Sequence, residues 1–339
     1  MKEIKISVII PVYNVLEYLR TCLDTLVAQS LQECEFIMVS DEASEEECAI
    51  CEEYVARDSR FKFFRRKHGG LAAVKNFGMT QARGEYITFV DSDDWIGPDI
   101  LKGAYELSKK TDSDVTFWNY VITTPQQIIP QRFSTISSCV LSEETMASVK
   151  ENLFFAKEKK WMIFIYSWCK LYKASLIKDM KFDESLDIGE DRIFSLELFS
   201  KKIRVAYLNE DGYFYRQNSV SLTKKYRHDA FDTLMKYVER IKELSNGMYH
   251  AEICNEILYK FVESLSLDYF HKDNPHPSKE NIKRLKQIFY SDEFRNVVKG
   301  CSFHKLNKCH KIDYLFIKFK IFPWLYIRTI LFSVKRRLA

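Results

Sequence analysis

Asp91 and Asp93, separated by a single serine and followed by Asp94, stand directly behind the apolar run Glu85-Tyr86-Ile87-Thr88-Phe89-Val90. Two carboxylates on one tight turn make a hard-oxygen site. Such a site suits Mg²⁺ or Mn²⁺, which take one or two protein oxygens and complete their shell with water and substrate phosphates. A further acidic residue, Asp41, follows a second apolar run, Glu35-Phe36-Ile37-Met38-Val39. Ligands of open α/β sheets bind outside the carboxyl ends of the strands, so Asp41 and the acidic turn are expected to face one crevice. An Asp-x-Asp pair in isolation is a weak signal, because any acidic turn after a strand produces it.

The elements that must position these side chains alternate between strand and helix. Residues 4–12 (IKISVIIPV) form a near-continuous β-branched run, as in a strand buried on both faces, and Pro11 marks its end. Leu16, Leu19, Leu23, Leu26 and Val27 follow the spacing of a helix packed on a sheet. With the strand at 35–39 they complete a βαβ unit. Ser44, followed by Glu45, Glu46 and Glu47, predicts an N-cap and an acidic first turn. A third strand is expected at 61–64 and a fourth at 85–90; between them Gly69-Gly70 breaks the pattern and a helix runs over 71–82. Residues 115–141 turn strand-like and 161–171 (WMIFIYSWCKL) are strongly aromatic. Beyond Tyr226 the pattern is helical, with its clearest loop at 271–278.

A chain of 339 residues, 46% apolar and 14% aromatic with only 10 Gly and 7 Pro, is long enough for two domains and too apolar for disorder. A net charge of +4 is too small for a nucleic-acid-binding field over the whole surface, although the cations crowd toward the C-terminus. The opening Met1-Lys2-Glu3-Ile4 has neither a basic n-region nor an apolar h-region, which predicts a protein kept in the cytoplasm. Nine scattered cysteines then read as reduced thiols, and Cys48-x-x-Cys51 as helix packing.

At this point the sequence resembles family 2 of the glycosyltransferases over about its first 220 residues. Ser7-Val8-Ile9-Ile10-Pro11-Val12-Tyr13-Asn14 resembles the family's opening strand and turn, and Gly69-Gly70-Leu71-Ala72-Ala73-Val74-Lys75-Asn76-Phe77-Gly78 its glycine-rich segment. Ala82-Arg83-Gly84-Glu85-Tyr86-Ile87 leads into its D-x-D element, Asp91-Ser92-Asp93-Asp94-Trp95, and Gly189-Glu190-Asp191 resembles its later acidic motif. The resemblance implies the GT-A fold, a mostly parallel α/β sheet flanked by helices, here with a C-terminal helical region. It also implies an inverting displacement on a nucleotide sugar assisted by Mn²⁺ or Mg²⁺.

Residue by residue, Asp191 matches the family's general base, with Glu190 beside it, and Asp93 matches the metal-binding carboxylate. Asp91 matches the residue facing the ribose or donor sugar, and Asp41 the acid that reads the base. Pro11, Val12 and Tyr13 would wall a uracil-type ring, which makes a UDP-sugar the expected donor. His68, Gly70, Lys75, Asn76 and Ser92 complete the implied donor-binding set. The sequence departs from the family in three places: Ser40-Asp41-Glu42-Ala43 replaces Asp-Asp-Gly-Ser, His68 replaces a common Asn, and Lys75 a common Arg. Lys keeps the charge but loses the bidentate fork. Asp191 could instead cap a helix beginning near Ile193. Trp168 and Lys170 belong either to the core or to an acceptor subsite, and Arg216 is a candidate phosphate or acceptor contact.

The expected layout is a catalytic domain over residues 1–225, with its donor half at about 1–95 and its acceptor half at about 96–225, then a helical domain over 226–311 and a tail over 312–339. In the tail, Ile312, Leu315, Phe316, Phe319, Phe322, Tyr326, Ile330 and Val334 keep helical spacing ahead of Lys335-Arg336-Arg337. Lys318, Lys320 and Arg328 interrupt every stretch long enough to span a bilayer, so an in-plane anchor on an anionic membrane is expected, kinked at Pro323. A closing helix pair or a homodimer contact is the alternative. The chain also lacks the long membrane spans and the Q-x-x-R-W element of the family's processive synthases. The resulting expectation is transfer of one hexose or N-acetylhexosamine to a lipid-linked saccharide, in bacterial surface polysaccharide synthesis at the inner membrane face. Rival readings are a dTDP-, GDP- or CDP-linked donor, a nucleotidyltransferase, or a silent scaffold.

Overall fold

The computed structural model describes residues 3–156, 158–186, 188–217, 226–228, 230–271, 273–275, 278–321, 323, 324 and 327. The chain divides into two compact units, Met1–Leu153 with Glu158–Asn218, and Phe154–Lys157 with Ser219–Ala339.

The first unit is built on β1 (Ile6–Val12), whose seven residues are all buried. Parallel pairing with β2 (Cys34–Ser40) on one side and β4 (Tyr86–Phe89) on the other covers its edges. The crossovers are α1 (Leu16–Val27), α2 (Glu45–Arg57) and α3 (Gly70–Gln81), with β3 (Phe61–Phe64) pairing outside β2. α2 starts as expected: Ser44 accepts from the backbone N of Glu47 while Glu47 returns a bond to the Ser44 backbone, a capping box. Glu47 also accepts from the backbone N of Val15, which joins the starts of α1 and α2. Cys48 and Cys51 are buried on α2 as free thiols.

After β4 come β5 (Trp95–Ile96), α4 (Ile100–Thr111), β6 (Val115–Thr123), β7 (Ile128–Gln131), β8 (Cys139–Val140) and α5 (Glu143–Phe154). β9 (Lys170–Lys173), α6 (Ala174–Ile177), α7 (Glu190–Ser200) and β10 (Val205–Arg216) follow. The aromatic run at 161–171 therefore splits into a 3₁₀ turn at Lys159–Phe164, a loop and the start of β9. One ten-stranded sheet runs β3-β2-β1-β4-β9-β6-β10-β5, with β7 on β6 and β8 on β10. β9 is antiparallel to both of its neighbours, and β10 lies parallel to β6. The class is mixed α/β, a central sheet flanked by helices.

Strands β1 to β3 are fastened by one buried carboxylate. Glu35 on β2 accepts from Ser7 Oγ on β1 (2.6 Å), Lys62 Nζ on β3 (2.6 Å) and the Arg83 backbone N (2.7 Å). Burial pushes its pKa up, but these donors outweigh burial and the net shift is downward.

The second unit is helical among its described residues: α8 (Ala230–Ser245), α9 (His250–Ser264) prolonged by a π turn at Leu265–Tyr269, α10 (Ser278–Phe289), α11 (Asp292–Gly300) and α12 (Lys308–Lys318). Phe261, Leu265, Leu285, Phe289, Phe294, Tyr314 and Ile317 share its core. A tail beginning at residue 312 thus starts inside α12, whose Tyr314 and Ile317 are core residues. Tyr326, Ile330, Val334 and Lys335 to Arg337 lie outside the described residues.

The close approach of the turn before β4 to β1 sets a packing limit. A Cβ on Gly84 would lie 2.6 Å from the backbone N of Ser7 and 2.8 Å from the carbonyl carbon of Ile6, atoms that cannot move without breaking the β1 ladder. Gly84→Ala is expected to destabilise the protein by about 1–3 kcal/mol, read as a lower urea midpoint.

Candidate active site

The carboxyl ends of β1, β2 and β4 are locked together by short polar contacts. Ser92 Oγ donates to the carbonyl of Pro11 (2.5 Å), and the backbone N of Asp41 donates to the carbonyl of Val12 (3.0 Å). Strand order reverses about β1 and β4, which makes their ends the crevice where an α/β sheet receives ligands. Pro11 and Val12 are buried there, while the Tyr13 ring is exposed.

Asp41 closes the loop that enters α3. Its Oδ1 accepts from the backbone N of Gly69 (2.7 Å) and Gly70 (3.3 Å), and its Oδ2 lies 2.9 Å from His68 Nδ1. Gly70 has φ +84°, which a glycine adopts without strain. The turn after β2 survives the loss of the family's glycine because Glu42 itself takes φ 60°. Two bonds hold it there, Glu42 N to the carbonyl of Arg66 (3.0 Å) and Ala43 N to Ser40 Oγ (3.0 Å).

The acidic turn is backed by β10. The Tyr213 hydroxyl donates to Asp94 Oδ2 (2.8 Å) and accepts from the backbone N of Asp91 (3.2 Å). Asp94 Oδ1 accepts from the backbone N of Arg216 (2.7 Å), and Arg216 Nε donates to the carbonyl of Asp93 (2.9 Å). The Arg216 guanidinium lies 4.6 Å from the ring centroids of both Tyr18 and Trp95, so it braces the turn. Asp94 and Tyr213 are members of this cluster that sequence reasoning did not assign to the site. The acidic run contained Asp94, but only the pairing of β5 with β10 gives it a partner.

Burial pushes Asp91 up to about 7, with Lys75 pulling it down and Asp93, Asp191 and Glu190 pushing it up. Burial also raises Asp93, and raises Asp94 well above the carboxylate range with help from Asp93 and Asp91. These crowded, desolvated carboxylates are electrostatically suited to a cation. Among the described residues no three His, Cys, Asp or Glu side chains form a metal cage. Carboxylate oxygens are the donors that Mg²⁺ and Mn²⁺ accept, one or two from the protein and the rest from water and substrate phosphate.

Opposite the acidic turn stands Asp191. α7 begins at Glu190 with Gly189 (φ +89°) in the cap position, and Ile193 N bonds to the carbonyl of Gly189 (3.0 Å). Asp191 is therefore not the helix cap. Its Oδ1 accepts from Lys75 Nζ (2.7 Å) and its Oδ2 from the backbone N of Ser167 (3.0 Å). Lys75 is 1% exposed, 3.5 Å from Glu190, with its ammonium over the Phe182 ring. Burial would lower its pKa, but Asp191, Glu190 and Asp91 outweigh burial and raise it. Burial and the neighbouring Asp191 raise Glu190.

Asn76, from the implied donor set, and Trp168 and Lys170, left between core and acceptor subsite, make their contacts within the protein. Asn76 clamps the chain ahead of α7, donating to the carbonyl of Phe182 (2.9 Å) and to Glu184 (2.8 Å) while accepting from Phe182 N (2.8 Å). Trp168 is buried in a stack with Tyr166, Tyr213 and Tyr215. Lys170 is fully buried, and its ammonium donates to the carbonyls of Ile163 and Tyr166. It shapes the loop that presents Ser167 to Asp191 and does not reach an open subsite.

A family model described as Glycosyl transferase family 2 matches residues 7–180. Glycosyltransferase GlyA of Streptococcus pneumoniae is 34% identical over 252 residues, 73% of this chain and 36% of GlyA, so the chain spans about a third of that relative's length. An uncharacterized glycosyltransferase of Bacillus subtilis, EpsJ, is 28% identical over 306 residues, covering 88% of this chain and 87% of its own. The crystal structure of S. aureus TarS 1–349 in complex with UDP-GlcNAc superposes with a TM-score of 0.63 at 18% identity, covering 93% of this chain and 90% of that one. The shared architecture is GT-A.

Burial pushes Lys170 down to about 8, against smaller upward effects of Cys169 and Asp191. An unfolded lysine keeps its proton to about pH 10.4, so between about pH 8 and 10 the unfolded chain binds more protons than the native one. Native stability should therefore rise across that window relative to Lys170→Met, and run parallel to it below. Urea midpoints of both proteins across the window read the difference, and parallel curves throughout would refute it.

Proposed function

The chain belongs to glycosyltransferase family 2, and on that premise we propose that it moves one hexose or N-acetylhexosamine from a UDP-sugar to a hydroxyl of a lipid-linked saccharide. The transfer inverts the anomeric carbon and serves bacterial surface polysaccharide synthesis at the inner membrane face. The observation that carries this reading is the Asp191 carboxylate, held between Lys75 Nζ and Ser167 N across the crevice from the acidic turn. The choice of donor follows TarS, whose structure holds UDP-GlcNAc.

In this mechanism Asp191 accepts the proton of the acceptor hydroxyl as its oxygen bonds to the anomeric carbon. The bond from that carbon to the diphosphate oxygen breaks, and its electron pair leaves with UDP. Attack from the face opposite the diphosphate converts an α-linked donor into a β-linkage. A carboxylate is a weak base at pH 7, so its contribution is placement; Lys75 and the Ser167 N–H fix both oxygens. Asp91 orients the ribose or donor sugar. A divalent cation, Mn²⁺ or Mg²⁺, held through Asp93 would neutralise charge on the departing diphosphate.

The membrane part of the proposal rests on α12. Tyr314 and Ile317 face the core of the second unit, whereas Ile312, Leu315 and Phe319 are exposed at the spacing of one helical face. Lys308, Lys318 and Lys320 are exposed on the same segment, as an anionic interface favours. Among the described residues no helix is long and apolar enough to cross a membrane.

Two tests follow. With Mn²⁺ and a panel of UDP-, GDP-, CDP- and dTDP-sugars, native protein should release nucleotide from a UDP-sugar and Asp93→Ala should not. Asp191→Asn should lose about 10²–10⁴-fold in transfer while binding donor normally. Near-normal transfer by Asp191→Asn would remove it as the base. Because truncation at 312 would strip core residues, the membrane test is Leu315→Glu with Phe319→Glu. This variant should stay folded by circular dichroism yet no longer sediment with phosphatidylglycerol vesicles; unchanged sedimentation would remove α12 as the anchor.

A further inference from the structure

We propose that Lys170 is the positioning residue of the Asp191 carboxylate and acts on it through a single peptide group, an inference that rests on the reading of Asp191 as the base. The Lys170 ammonium donates to the carbonyl of Tyr166, and the next backbone N–H, that of Ser167, donates to Asp191 Oδ2 at 3.0 Å. These two groups belong to one planar trans peptide, whose C=O and N–H point in opposite directions. Turning the carbonyl toward Lys170 therefore aims the N–H at Asp191.

The rest of the loop is built to hold that peptide still. Lys170 also takes the carbonyl of Ile163, while the carbonyl of Ser167 accepts from the Tyr172 hydroxyl at 2.8 Å. The carbonyl of Ile165 accepts from Ser195 Oγ at 3.2 Å. Ser195 stands four positions after Asp191 on α7, so the loop is fastened to one face of the helix that carries the base. The chain then turns through Cys169 at φ 59°, a left-handed conformation that is costly for a residue with a side chain, and Lys170 follows at once. An ammonium is an expensive group to bury, and an apolar side chain would fill the same space without that cost. What the ammonium adds is the direction of the Tyr166 carbonyl. Without it Asp191 is left with the bond from Lys75 to Oδ1, and its second oxygen is no longer fixed.

The test is a double-mutant cycle on UDP release in the presence of Mn²⁺, with water in the place of the acceptor hydroxyl. The probes are UDP-glucose, UDP-galactose and UDP-N-acetylglucosamine. Lys170→Met should lose about tenfold in kcat, the scale of one charge-assisted hydrogen bond, with KM for the donor retained. In an Asp191→Asn background the same change should cost less than about twofold, because the route by which Lys170 acts is already broken. A residue that only supports the fold costs the same in both backgrounds, so equal losses would overturn the proposal. Lys170→Gln repeats the cycle should the methionine variant not fold. The Ser167 amide gives a readout that needs no turnover, in ¹⁵N-serine-labelled protein with the resonance assigned by its absence in Ser167→Ala. It should shift in Lys170→Met as it does in Asp191→Asn, and an unmoved resonance in Lys170→Met would overturn the proposal as well. Native protein that neither binds nor cleaves the three donors would overturn the UDP-sugar reading, while the amide still decides whether Lys170 positions Asp191.

Discussion

The first unit depends on an ammonium group taken out of water. Lys75 lies inside α3 with its charge fully desolvated, and a buried cation persists only where carboxylates meet it. Those carboxylates come from the first turn of α7, 115 and 116 positions further along the chain. The pair therefore fixes the distance between a helix that lines the donor crevice and a helix that carries the candidate base. Removing either member of such a pair typically costs about 3–5 kcal/mol, because the other is left charged and unpaired. Glu35 applies the same rule to the sheet, drawing a hydroxyl, an ammonium, a backbone N–H and the Arg83 guanidinium to a single buried carboxylate.

The acidic turn inverts this arrangement. Asp91, Asp93 and Asp94 are crowded and desolvated, and only Asp94 has its oxygens satisfied from within β10. The remaining repulsion is tolerated because Tyr213 and Arg216 pin the turn through its backbone, and positive charge reaches Asp91 from Lys75 and Asp93 from Arg216. Local conflict held in place by a rigid surround is what a site awaiting a charged ligand requires.

Much of this was legible in sequence because it is local. The periods of β1, α1 and β3, the Ser44 cap and the acidic turn each depend on a few neighbouring residues. The family resemblance added Glu190 and Asp191, which stand in the first turn of α7. What stayed hidden depends on pairings between distant segments. No period predicts that β9 enters the sheet antiparallel between β4 and β6, and with it the loop that carries Ser167. No spacing predicts that Asn76 is spent on Phe182 and Glu184, or that Asp94 meets Tyr213 across 119 positions. Lys170 was ambiguous for a related reason: a lysine in an aromatic run fits either a core or an acceptor subsite until the carbonyls that enclose it are seen.

The departures from the family pattern are of two physical kinds. Glu42 stands where the family has a glycine and takes a left-handed conformation, at a cost of about 1–2 kcal/mol, offset by the bonds to Arg66 and Ser40 that hold the turn. Lys75 and His68 change what is presented. A lysine ammonium is a compact charge that reaches Asp191 and Glu190 together from a 1%-exposed position above Phe182, where a planar guanidinium would need room for five donors. Trading the fork for a point charge ties this residue to the candidate base and removes it as a bidentate partner for phosphate. The loop beside it leaves the His68 and Tyr13 side chains exposed, while the buried Asp41 carboxylate ties that loop to the end of β2.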